Sequence, residues 1–541
     1  MDNSLKALAR ASVVVCLASA PAVAGDYFVS ASAGSDGAAG TSPSEAWRTL
    51  THALTAVPAP VGAELHTIYL APGVYDAANG ETYPLEMRPR ISVEGDGPAD
   101  SVVLRGNGTG TLLGFTSLFN GLGETFDEDT RVASLTLENA GSGVGMYTDW
   151  GNIAPLLVDL RVHRTSGPGV VASGGDFGGA GHFHPRLLRL KFEGCAVGVR
   201  AIKYGEGGGS SVTLTDCVIA QGSGNGVELR NFSDEGSLAL EGLRTVVHDR
   251  GEDGVQVSYT NGSVVNVTLE HCEIRDCGDD GYEVVPDTGL GYQVNTWLRH
   301  CTIARNAHVG VGINNAGSEN YLHPTVLDST ILWGNTDDLR DGPVPMATVT
   351  DCCIGDGDHQ GQDGNFSDDP RFVSPAYGDL RLRYGSPCID RGAPLPTVGE
   401  PSLGGFVPPI DGDLDLAKHW DVGAREFAPL TLAGTATPGG ALQLAMFGRA
   451  GGEALLFASR RPLTSSPLVQ PEGEWWLGSS GFAFSRLRTD PSAPGQLMVS
   501  LPNDAALVGR SFSFQAQVRS LPGAATDLVW THPVSVVVHA P

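Results

Sequence analysis

Between Val267 and Ile313 the chain passes twice through one alternation of apolar and polar positions. VTLEHCEIRDCGDDGYEVV is followed by TWLRHCTIARNAHVGVGI, and Cys272 and Cys301 stand 29 residues apart. Each cysteine is followed two positions on by an isoleucine (Ile274, Ile303). Nine positions on comes a glycine (Gly281, Gly310) that opens a second short apolar run. Two apolar runs per repeat, parted by a polar, glycine-bearing corner, are the pattern of a chain wound into stacked coils. Aligned on Cys272, the repeat reads Cys195, Cys217, Leu243, Cys272, Cys301, Ser329 and Cys352, with steps of 22 to 29 residues.

Winding in one direction lays each strand parallel to its equivalent one coil later, about 4.8 Å away. The general handedness of parallel connections makes the winding right-handed. The predicted fold is therefore all-β: a right-handed parallel β-helix. The cysteines alternate with polar neighbours and are read as an inward column. Side chains in register on parallel strands point the same way, a poor start for a disulfide dihedral, so buried thiols are favoured over disulfides.

Other stretches depart from the coil period. Residues 1–24 read as an export signal: Lys6 and Arg10, an apolar run from Ala11 to Ala20, and Ala22-Val23-Ala24 before Gly25. The run is too short to span a bilayer, so a secreted or cell-surface protein without a membrane anchor is expected. In SPSEAWRTLTHALTAV, Ser44 is a candidate N-cap, with Trp47, Leu50, Leu54 and Val57 on one helical face. After Pro429 cysteines vanish, and strand-length segments separated by Pro/Gly turns suggest a small antiparallel β-sandwich. Its role is read as carbohydrate binding, sorting or spacing. Trp475 and Trp476 are read as core residues before sugar-stacking ones. The expected division is 1–24 signal, 25–130 N-terminal cap and first coils, 131–367 central β-helix, 368–428 closing segment and 429–541 sandwich.

Composition narrows the partners. A net charge of -27 over 541 residues opposes nucleic acid and anionic lipid. Glycine, at 73 residues and without a triplet period, fits a fold with many tight corners. The eight cysteines beyond the signal show no paired zinc spacing. A monomer with no cofactor is expected, Ca²⁺ being the one candidate ion. Asp356, Asp358 and Asp363 form one acidic run and Asp411, Asp413 and Asp415 another. The first is like a calcium loop but lacks the Asp at the fifth position and the Glu at the twelfth of an EF-hand. For the second a turn role is the expectation, with adventitious Ca²⁺ the alternative.

Three resemblances follow from quoted residues. GTSPSEAWRTLTHAL, LAPGVYDAANGETYPLEM and ISVEGDG, within residues 26–105, resemble the domain of unknown function at the N-terminus of many bacterial parallel β-helix proteins. That resemblance implies a capping helix and no known activity. DDPRF, GDLRL, SPCIDRG and DVGARE, from Asp368 to Phe427, resemble the closing segment of secreted β-helix proteins with a variable anchor domain. It implies a cap over the last coil, shielding its strand edges.

The third concerns chemistry. Gly251-Glu252-Asp253-Gly254-Val255 and Gly278-Asp279-Asp280-Gly281-Tyr282 stand 27 residues apart. The next coil contributes His308 and the preceding one Asn225, so carboxylates and an imidazole should share one edge. GDDGYEV resembles the "GDD" motif of polygalacturonases, pectin hydrolases on a pectate-lyase-like solenoid whose inverting site uses three aspartates. The resemblance implies catalytic roles for Asp253, Asp279 and Asp280, with His308 beside them. Asn-Thr of the partner motif is replaced by Gly251-Glu252, no Gly-His-Gly follows, and no Arg-x-Lys clamp appears. A lyase would need a Lys or Arg base. Beyond the signal the lysines are Lys191, Lys203 and Lys418, with Arg200 and Arg230 near Lys203 by coil register. The favoured function is a non-catalytic, structural or polysaccharide-binding protein; the alternative is a polysaccharide hydrolase or lyase at the acidic edge.

Overall fold

The computed structural model describes residues 25–117, 125–175, 179–205, 207–259, 263–286, 293–313, 323–341, 347–395, 401–403, 409–413, 418–447, 452–460, 463, 468–470, 473–475, 477, 481–489, 494–519 and 528–540. The proposed signal, Asp415 and Trp476 lie outside these, as does the Trp475 side chain.

Alternating inward and outward residues build three parallel sheets of twelve, ten and eleven strands that share one core. In the ten-stranded sheet Val170, Val199, Val227, Val255, Tyr282 and Val311 face inward, each buried. Register is continuous from coil to coil: Val227 pairs with Val255, Val255 with Tyr282 and Tyr282 with Val311. The glycines that open this run have a steric reason. A Cβ on Gly281 would lie 2.5 Å from Ile303 Cγ2 and 2.6 Å from the Gly310 carbonyl oxygen.

The inward cysteine column is real, but its membership differs from the sequence alignment. Pairing of Val218 with Val246, Val246 with Glu273, Glu273 with Thr302, Thr302 with Ile331 and Ile331 with Cys353 places Cys217, Thr245, Cys272, Cys301, Thr330 and Cys352 in one column. Leu190 precedes Cys217 in it, by the pairing of Lys191 with Val218. Cys195, Leu243 and Ser329 are therefore not members. Counting from cysteine to cysteine misplaced them because coil lengths vary and a threonine fills the same inward volume as a thiol. Cys195 instead belongs to a second column with Ala140, Thr165, Gly222, Arg250, Cys277 and Asn306, set by the strand pairings on either side. The eight cysteines among the described residues are all free and buried. Burial pushes the Cys217, Cys277 and Cys352 thiols up to about 12, so they pack as small apolar groups.

The residue just before each inward column position turns the corner with left-handed backbone. Asp159, Arg189, Asp216, Arg244, His271 and His300 have φ of 53°, 56°, 54°, 49°, 52° and 45°. Outside the coil these corners pair in ladders: Arg189 Nε with Asp159 Oδ1 and Arg244 Nε with Asp216 Oδ1, each at 2.7 Å. At His271 and His300 the ladder goes under cover, both rings packing on Trp420 of the closing segment.

At the N-terminal end a helix spans Leu50–Ala56 and buries Leu50, Ala53 and Leu54. Its N-cap is Thr49, whose side chain accepts the His52 N–H, rather than Ser44. Trp47 bridges to Val29 as extended chain, which keeps the preceding residues out of the helix. Glu81 accepts the Leu50 and Thr51 N–H groups at 2.7 and 2.9 Å, satisfying two more donors of the first turn. Beyond the closing segment, antiparallel sheets built on 430–446, 452–459 and 482–537 enclose a separate core around Leu444, Leu456, Phe514 and Val518. Among the described residues no helix is long and apolar enough to cross a membrane.

Candidate functional site

The predicted acidic edge exists, and the ten-stranded sheet builds it. Asn225, Asp253 and Asp280 occupy equivalent corners, two residues ahead of the in-register Val227, Val255 and Tyr282. All three are buried, Asp253 and Asp280 at 2% exposure each. Their side chains form a ladder along the axis. Asn225 Oδ1 accepts the Asp253 N–H at 3.0 Å, Asp253 Oδ1 accepts the Asp280 N–H at 3.0 Å, and Asp280 Oδ1 accepts the Val309 N–H at 2.8 Å. Each side chain thus holds the next coil's corner, a task asparagine performs as well as aspartate.

Aspartate adds charge to that task. Asp253 Oδ2 accepts the Gln256 amide at 2.7 Å, and the same amide reaches Glu283 Oε2 at 3.4 Å. Gln256 and Glu283 are paired neighbours on adjacent coils, pointing out of the sheet. One carboxylate oxygen each of Asp253, Asp280 and Glu283 lies within 4.8 Å of the other two. Two charges about 5 Å apart repel by about 3 kcal/mol at an effective dielectric of 20, enough to move a pKa by about two units. Burial first, then repulsion by Asp279 and Asp280, pushes Asp253 up to about 6. Burial and the charges of Asp253 and Asp280 push Glu283 up to about 7, and burial and Asp279 raise Asp280.

Asp279 and His308 sit at the exposed rim, each 56% exposed. His308 Nδ1 lies 3.1 Å from Asp279 Oδ1 and 3.2 Å from Asp280 Oδ1. The four residues anticipated from sequence are thus brought together. Glu283 was missed, although its signal was present: Gln256 and Glu283 each follow a ladder aspartate by three positions. Asp253, Asp280 and Glu283, or Asp279, Asp280 and His308, could each offer three ligand atoms to a metal ion.

The basic residues fall elsewhere or are engaged. Lys203 points into the coil with no exposed surface, its Nζ donating to the Gly181 carbonyl at 3.1 Å, and burial lowers its pKa. Arg200 and Arg230 both grip Glu228, Arg200 Nε at 2.5 Å from Oε2. Lys191 lies on the eleven-stranded sheet, and Lys418 is exposed in the closing segment. Of the sequence-level calcium runs, Asp356 and Asp358 meet Asp337 instead of Asp363. Asp411 and Asp413 meet Asp390.

Residues 32–148 match the family described as "protein of unknown function (DUF1565)", and residues 200–361 match "right handed beta helix region". The chain is a right-handed parallel β-helix. Solved structures similar to it have low identity. The tailspike protein 2 of an Escherichia coli O157:H7 bacteriophage is 11% identical over 89% of this chain and 65% of its own, with a TM-score of 0.32. The GH136 lacto-N-biosidase of Eubacterium ramulus is 12% identical over 55% and 66%, with a TM-score of 0.30. The mannuronan C-5 epimerase AlgE4 A-module of Azotobacter vinelandii is 16% identical over 52% and 91%, with a TM-score of 0.27. The chain therefore spans just under two thirds of the length of the first two. No curated protein matches the chain.

Proposed function

We propose that this is an exported, non-catalytic β-helix protein that binds polysaccharide along the outer face of its ten-stranded sheet. The observation that carries the reading is the ladder. Asp253 and Asp280, two of the three carboxylates an inverting hydrolase would use, are buried and committed to backbone N–H groups. One oxygen of each lies within 4.8 Å of the other and of one of Glu283, whereas an inverting pair holds its carboxyl groups roughly 6.5–9.5 Å apart to admit a water. The face is polar and repeats in register along the axis: Arg200, Gln256 and Glu283 are part-exposed, and Glu228 lies buried between Arg200 and Arg230. Asp279 and His308 lie at the rim. Amides, carboxylates and imidazole spaced along a line suit a chain-like ligand rich in hydroxyls.

One observation favours a second reading, a polysaccharide hydrolase. Glu283 at about 7 is part-protonated at neutral pH beside a more acidic Asp253 at about 6, the split an acid–base pair needs. One experiment separates the two. Protein lacking residues 1–24 is incubated with insoluble and soluble polysaccharides, and both co-sedimentation and released reducing ends are measured, for wild type, Glu283→Gln and Asp279→Asn/Asp280→Asn. Binding without release, weakened about tenfold in the double variant, is expected. Release by wild type that disappears in Glu283→Gln overturns the non-catalytic reading. Export is tested by the mass of protein recovered outside the cytoplasm, expected to begin at Gly25.

A further inference from the structure

The closing segment carries a second acidic cluster that differs from the first. Asp390, Asp411 and Asp413 offer oxygens within 4.8 Å of one another. Behind them stand Asp421, 1% exposed, and Glu426, 6% exposed. Backbone donors reach part of this set. Asp390 Oδ2 accepts the Gly412 and Asp413 N–H groups at 3.0 and 2.9 Å, while its Oδ1 has only the long 3.4 Å approach of His419 N–H. Asp421 accepts the Asp390 and Phe427 N–H groups at 2.9 and 2.5 Å. Glu426 Oε1 accepts the Asp421 N–H at 3.1 Å, but Oε2 is buried with no hydrogen-bond partner among the described residues. Glu426 sits against Asp421 and Asp390, whose charges it feels. A carboxylate oxygen left dry and unpaired is among the costliest features a fold can carry, and it demands a proton or a cation.

We infer that the closing segment holds a hard divalent cation of the calcium class, ligated by Asp390, Asp411 and Asp413 and backed by Asp421 and Glu426. Oxygens bound to one Ca²⁺ at about 2.3–2.6 Å are at most about 5 Å apart, and these three carboxylates meet that limit as they stand. The all-oxygen donor set, with no histidine or cysteine in it, excludes a preference for zinc or copper.

The site is placed to act as a lock. It joins residues 409–413, after the Pro/Gly-rich insert, to the 388–392 and 419–427 segments. Those segments grip the coils: Gly423 N–H donates to the Ser329 carbonyl at 2.8 Å, and Ala424 N–H to Thr302 Oγ1 at 3.0 Å. Arg425 Nε meets Glu273 Oε2 at 2.9 Å. His300 Nδ1 and Nε2 lie 2.9 and 2.8 Å from the Asp421 and Ala393 carbonyls. Ordering the cluster therefore fixes the segment on the solenoid wall.

The test uses the whole chain without residues 1–24, stripped with EDTA. Titration with CaCl₂ in a calorimeter and in thermal melts is expected to show one principal site and a rise in Tm of several degrees, with Mg²⁺ weaker. Asp411→Asn/Asp413→Asn should lose both effects, while Asp337→Asn/Asp358→Asn, in the other acidic run, should keep them. Absence of heat and of a Tm shift in wild type, or effects undiminished in Asp411→Asn/Asp413→Asn, overturns the proposal. A second readout covers a poorly folding variant: Tb³⁺ added to wild type should luminesce on tryptophan excitation and be displaced by Ca²⁺, and Trp420→Phe should dim it. Undimmed or non-displaceable emission counts against the site.

Discussion

The acidic ladder of the coils and the acidic cluster of the closing segment use the same side chains under different rules. In the ladder every carboxylate sits one coil from a backbone N–H that it caps, and the repeat itself supplies the next donor. Asp253 ends with both oxygens engaged, one by the Asp280 N–H and one by the Gln256 amide. The closing segment has no repeat to supply donors, so five carboxylates converge from three stretches of chain and Glu426 Oε2 is left over. Periodicity makes acidic residues cheap to bury; its absence leaves a charge deficit that something outside the chain must meet.

The largest expected effect lies where one carboxylate serves two buried donors. Asp421→Ala orphans the Asp390 and Phe427 N–H groups, at about 1–3 kcal/mol each. The urea midpoint should fall accordingly, and added Ca²⁺ should not restore it. Asp253→Ala orphans a single ladder N–H, that of Asp280, and should cost about 1–3 kcal/mol. Asp253→Asn should recover most of this, because Asn225 already performs that role one coil earlier; equal losses in both variants would show that charge, not capping, matters there.

The pH response should divide the clusters next. Asp253, Glu283, Asp390 and Asp421 all have folded-state pKa values above their ordinary ones, at about 6, 7, 8 and 7. The native state then binds more protons than the unfolded chain, so these groups favour folding fully below about pH 4 and lose that contribution as pH rises toward 8. In EDTA, Tm should therefore fall between pH 5 and pH 8 for these groups. Saturating Ca²⁺ should flatten the part due to the closing segment; in Asp411→Asn/Asp413→Asn the profile should be the same with and without the ion. The smallest effect belongs to the exposed rim. His308→Ala removes contacts to Asp279 and Asp280 that solvent already screens, and stability should change by no more than about 0.5 kcal/mol.

Much of this molecule was legible in its sequence, for a physical reason. A coil that stacks on itself writes its inward positions at a nearly fixed interval, so Cys272 and Cys301 announced the winding and GDDG announced an edge. Errors entered where the interval varies. Leu243 and Ser329 were aligned in place of Thr245 and Thr330 because a threonine looks polar in a sequence yet packs like the neighbouring thiols. The acidic edge was located, but Glu283 was passed over because it belongs to the strand, where outward polar residues are expected everywhere. Nothing local predicted that Asp390, Asp421 and Glu426 meet, since that encounter is made by segments folded back across the solenoid rather than by spacing.

The left-handed corners carry a consequence for engineering. A non-glycine residue in that conformation is strained by about 1–2 kcal/mol, and here the strain recurs coil after coil, with arginine at Arg189, Arg244 and Arg305. At those three positions the guanidinium reaches back to the preceding coil's aspartate, as Arg305 does to Asp276 at 2.8 Å. Such a corner is a tunable part: asparagine would relax the backbone and sever the clasp, whereas arginine keeps the clasp and the tension. Choosing between them coil by coil would allow stiffness to be graded along a rod of fixed diameter without touching its interior.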